Sequence, residues 1–125
     1  MKKVLLLTCI FFGAVASMKA QQTSPIWPGC ENAEDISACF SQKLGEHVKE
    51  NYEYPMNGNN EYVRGKVTIS FAVTEQGEVE VQSVEGEEPL VNEAAREMFA
   101  KIPKMQPGTL NGEPATRSFT VAYNF

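Results

Sequence analysis

A chain of 125 residues leaves room for one modest hydrophobic core and no second. Sixteen acidic against eleven basic side chains, a formal net charge of −5, exclude a nucleic-acid partner held through its phosphates. The same sign disfavours an anionic membrane surface and leaves proteins or peptides as partners.

Residues 1–20 read as an export signal: Lys2 and Lys3 precede an apolar run from Val4 to Val15, and small residues follow at Ala16, Ser17 and Ala20. Cleavage after Ala20 is expected, with the Ala14-Val15-Ala16 triplet as a second possible cut. A retained inner-membrane anchor is the alternative, and the run falls short of the about 20 apolar residues that a spanning helix needs. Cleavage removes Lys2, Lys3 and Lys19 and no acid, leaving eight basic and sixteen acidic residues and a net charge of −8. Cys30 and Cys39 survive it in an oxidising compartment, so a disulfide is expected, two buried free thiols being the alternative. A zinc site built from these two and His47, the single histidine, lacks a compact cysteine pair and a fourth ligand.

Residues 21–34, with Pro25, Pro28 and Gly29, read as a turn-rich tether carrying Cys30, and the folded domain is placed at 35–125. Ile36, Phe40, Leu44 and Val48 recur every four residues opposite Gln42, Lys43, Glu46 and Lys49, which predicts an amphipathic helix over 35–50. His47 beside that stripe reads as a boundary or core histidine. Tyr54-Pro55 ends the helical region and Asn57-Gly58-Asn59-Asn60 is loop.

Val67, Ile69, Phe71 and Val73 then alternate with polar or small residues, Glu75-Gln76-Gly77 turns the chain, and Val79 and Val81 return it as a hairpin, with a bulge or strand end expected at Ser83-Val84. Pro89 opens a second helix whose apolar stripe, Leu90 to Ile102, stops at Pro103. Residues 104–115 read as a crossing segment. A last strand carries Phe119, Val121, Tyr123 and Phe125 on one face. The prediction is an α+β fold: a three-stranded antiparallel sheet in the order strand, strand, helix, strand, with helices on one face and an extra N-terminal helix.

That order and its punctuation resemble the TonB C-terminal domain family. The matching stretches are Tyr54-Pro55, Gly65 to Val84, Pro89 to Ala115 with Pro103, Pro107-Gly108 and Gly112, and the closing Ser118 to Phe125. The resemblance implies a periplasmic location in a Gram-negative-type cell. It also implies a partner, the extended box segment of a TonB-dependent outer-membrane receptor, which adds as a strand beside the last strand, near Tyr54 and Pro55. The expected partner-binding residues are Tyr54, Pro55, Arg117, Ser118, Thr120, Ala122 and Asn124. A complete transducer carries a long membrane helix and a proline-rich spacer; here the apolar segment is short and the lead-in is about a dozen residues, so an accessory role in transport is expected. Self-association through the same sheet edge, as a homodimer, is the alternative function.

No cofactor and no enzymatic role are expected. Cys39 and His47 lie eight residues apart, too far for one helix turn to join them as a nucleophile pair. The carboxylates from Glu75 to Glu88 read as a solvated hairpin face, with no apolar pocket to split their pKa values and no calcium loop.

Overall fold

The computed structural model describes residues 21–125, and the expected export signal lies outside them. Strand β1 (Gln22–Thr23) is followed by helix α1 (Ile36–Asn51), the hairpin of β2 (Lys66–Val73) and β3 (Val79–Glu85), and helix α2 (Pro89–Ala100). Two short strands, β4 (Thr109–Leu110) and β5 (Glu113–Pro114), precede the long β6 (Arg117–Asn124). The main sheet has the antiparallel order β3-β2-β6, so β2 is central and both neighbours are edges.

Local sequence features mark where the helices begin and where the hairpin turns. The Asp35 carboxylate accepts the amide of Ala38 and caps α1. Pro89 occupies the first turn of α2, where its missing N–H is no loss. In the β2–β3 turn Gly77 has φ 81° and its carbonyl accepts the Met105 amide at 3.0 Å. A Cβ at Gly77 would strike the Met105 carbonyl, so the turn and the crossing segment are fitted backbone to backbone.

The core lies between one face of the sheet and both helices. Phe40 of α1 stacks on Phe119 of β6, Phe119 on Phe71 of β2, and Phe71 meets Phe99 of α2, with centroids 5.1 to 5.3 Å apart. This aromatic row crosses every layer of the domain. His47 is buried beside Trp27 as a satisfied core histidine: its Nε2 hydrogen-bonds the Met98 carbonyl oxygen at 2.9 Å, tying α1 to the end of α2.

Three expectations are revised. Residues 21–34 are not a free tether: Gln22 and Thr23 pair with Leu110 and Thr109, Ile26 bridges Gln106, and Trp27 and Cys30 are buried. The reason is apolar content, since Trp27 packs edge-on to Phe40 and the Cys30–Cys39 disulfide staples the segment to α1. Within 104–115, Asn111 and Gly112 both adopt positive φ, which lets a two-residue turn join β4 to β5 and builds a second small sheet, β1-β4-β5. The expected irregularity of β3 is a bulge that leaves Gln82 unpaired, one residue earlier than Ser83-Val84, after which pairing resumes to Glu85.

Candidate binding edge

β6 pairs with β2 in an unbroken register from Lys66↔Asn124 to Val73↔Arg117. Gly65 and Phe125, one step beyond, exchange both backbone hydrogen bonds, at 2.9 and 3.1 Å. Antiparallel pairing alternates such reciprocal pairs with non-bonded ones, so Phe119, Val121 and Tyr123 direct their amides into the sheet. Ser118, Thr120, Ala122 and Asn124 therefore direct theirs outward. These four are the rim positions expected from the sequence, and they also put small or neutral side chains on the open sheet face.

The two edges of the sheet differ in kind. β3 carries Glu80 and Glu85, is bent by the bulge at Gln82, and is covered along one face by α2. Charge and bulges are the common ways in which an edge is closed to another strand. β6 has neither between Ser118 and Asn124, and its register is regular throughout.

The ends of the β6 rim carry the remaining expected residues, far apart. Arg117 stands at its start, where the guanidinium donates to the Thr23 carbonyl at 3.3 Å and lies 5.8 Å from the Phe119 ring. Tyr54 stands at the opposite end, its ring edge-on to Phe125 at 6.4 Å and covered by the Arg64 guanidinium at 5.2 Å. Pro55 opens a small hairpin: its carbonyl accepts the Val63 amide, Met56 bridges Tyr62, and the Asn57 side chain accepts the amides of Asn59 and Glu61. Arg117 and Tyr54 thus frame the rim and do not meet.

Sequence reasoning missed Tyr52, Met56, Tyr62 and Arg64, which the structure gathers with Tyr54 at that end. Tyr62 and Met56 are 62% and 50% exposed, and Tyr54 is 41% exposed. The available signal was three tyrosines and an arginine flanking an Asn/Gly-rich loop, which composition alone reads only as a turn. Burial raises the Tyr52 phenol above its ordinary pKa, with the neighbouring Tyr54 adding to the effect, and burial also raises that of Tyr123. Among the described residues no three His, Cys, Asp or Glu side chains converge on a possible metal position, and no helix is long and apolar enough to cross a membrane.

A family model described as the Gram-negative bacterial TonB protein C-terminal matches residues 50–125. No curated protein and no solved structure matches the chain. The matched span begins at the end of α1 and takes in the main sheet, α2 and the open edge.

Proposed function

The chain belongs to the Gram-negative bacterial TonB C-terminal family, and from that premise we propose that it grips an extended receptor segment by strand addition to β6. Membership makes it a TonB-like domain of periplasmic type associated with transport. The observation that carries the finer reading is the row of outward amides at Ser118, Thr120, Ala122 and Asn124 on an uncharged, unbulged edge. A segment of about six residues pairing there gains about 0.5–1.5 kcal/mol per backbone hydrogen bond, modest binding that neighbouring side chains must sharpen. Arg117 at one end of the rim and Tyr54 with Pro55 at the other are the residues placed to do so.

In this reading residues 1–20 are removed on export and the released domain serves as an accessory to transport. The family is one of transport-associated binding domains. The test is calorimetric titration of an extended receptor-box peptide into the protein and into Ala122→Pro, with light scattering to follow size. Binding lost in a folded Ala122→Pro supports the reading. Unchanged binding moves the site elsewhere, and a dimer that excludes the peptide favours self-association through the same edge.

A further inference from the structure

Beside the rim, the Tyr54-Pro55 segment faces the outer side of α2 across a groove of about 190 Å³. That volume is below the about 300–1,000 Å³ of small-molecule and cofactor sites, and it accommodates one long side chain. Its apolar lining comes from Tyr54 and Pro55 on one side and Leu90 and Ala94 on the other. Tyr54 and Leu90, 41% and 38% exposed, are two of the large hydrophobic residues that folding leaves in water.

Carboxylates border this apolar floor. Glu93 and Glu97 stand four residues apart on α2, a spacing at which like charges repel across one helical turn. Among the described residues neither has a cation within salt-bridge distance, and the third carboxylate, Glu53, has only the exposed Lys101 at 3.9 Å. The groove therefore sets apolar side chains beside two carboxylates, Glu93 and Glu97, that have no ion-pair partner among the described residues. A guest complementary to both features is an organic cation with an aliphatic stem.

We propose that this groove receives one lysine or arginine side chain from a segment of a partner protein. Its methylenes lie along Leu90, Ala94 and Tyr54, and its charged head sits between Glu93 and Glu97. Tyr54 also closes the far end of the β6 rim against Phe125, so a partner paired on that rim has the groove within reach. The identity of that partner rests on the strand-addition reading; the chemistry of the groove does not.

The experiment is an NMR titration of the exported protein with the blocked peptide acetyl-Ala-Arg-Leu-Ala-amide and with its counterpart carrying glutamate for arginine. The arginine peptide is expected to shift the amides of Tyr54, Leu90, Glu93, Ala94 and Glu97, and the glutamate peptide to leave them unmoved. The double variant Glu93→Gln, Glu97→Gln should weaken the arginine peptide by about three- to tenfold, as for two exposed ion pairs. Ala122→Pro should not change its affinity, which separates this site from the strand edge. Equal response to both peptides, shifts confined to residues 117–125, full affinity in the double variant, or no shift at all would each overturn the proposal.

Discussion

The ring of Tyr52 lies flat on that of Phe125, with centroids 3.6 Å apart and planes 6° from parallel. Tyr52 follows the last turn of α1 and Phe125 follows the last residue of β6, so this contact joins the first helix to the end of the candidate binding strand. Tyr54 and Tyr123 pack on Phe125 as well, at 6.4 and 5.6 Å. The backbone of Phe125 meanwhile makes both of its hydrogen bonds to Gly65.

Replacing Phe125 by alanine keeps those backbone bonds and removes the stack. The residue is half-buried, so the loss falls below the 3–5 kcal/mol of a fully buried phenylalanine, at about 2 kcal/mol. Urea unfolding of Phe125→Ala is the measurement. A midpoint equal to that of the parent would mean that the aromatic contacts at this end contribute nothing to holding α1 on the sheet.

Tyr52 also sets an alkaline limit. Its hydroxyl is buried without a hydrogen-bond partner, and the pKa of both Tyr52 and Tyr123 is raised from 10.0. Below pH 10 both phenols are neutral in either state and their contribution is fully present. As pH climbs past 10 the unfolded chain releases protons that the folded chain holds, so stability falls until the raised folded values are passed. Tyr52→Phe should therefore lessen the decline above pH 10. At neutral pH it should leave stability unchanged or raise it by about 1 kcal/mol, since an unpartnered buried hydroxyl is removed. Denaturation across that pH range, with tyrosinate absorbance as the second signal, tests both statements; a variant less stable than the parent at neutral pH would contradict them.

The main sheet and both helices were legible, and in the strands this is because strict alternation from Val67 to Val73 and from Phe119 to Phe125 leaves only one face to bury. Alternation also fixes which side chains share a face. It does not fix which amides point outward, and that required the Gly65–Phe125 pair. The strand pairing of the lead-in was not legible for a different reason: Gln22 and Thr23 have no pattern of their own and become a strand only because Leu110 and Thr109 offer them a partner. The tyrosines around Tyr54 were hidden likewise, since Tyr52 and Phe125 are 73 residues apart in sequence and meet only through the fold.

The Cys30–Cys39 bridge closes a short loop, nine residues in sequence, between the lead-in and α1. By chain entropy it contributes about 2.5 kcal/mol. The double replacement Cys30→Ala, Cys39→Ala should lose about that amount and free the lead-in first, because β1 has only two residues of pairing to hold it. Tryptophan fluorescence reports the event directly, since Trp27 is the single tryptophan and is buried. Hydrogen exchange that rises at residues 21–34 while β2 and β6 stay protected is the expected pattern. Equal loss of protection throughout would make the bridge part of the central fold and not a staple on its margin.

The hydrogen-bond parity of β6 makes two adjacent positions behave oppositely toward proline. Val121 forms a reciprocal pair with Ile69, so its amide donates into the sheet, and its side chain is half-buried on the helix side. Proline there removes a ladder bond and forces a ring against β2, at a loss of about 3 kcal/mol or more. Ala122, the next residue, pairs with Thr68 without exchanging backbone bonds, and its amide faces outward. Proline at Ala122 leaves the ladder intact, because edge strands accept proline where the amide faces solvent. Thr120→Pro should resemble Ala122→Pro for the same reason. Circular dichroism and thermal unfolding should find Val121→Pro largely unfolded and the other two folded, and those two should lose affinity for an extended peptide while keeping the fold. If Val121→Pro folds as well as Ala122→Pro, the assignment of outward amides is wrong; if both folded variants bind the peptide at full strength, β6 has the free edge but does not use it.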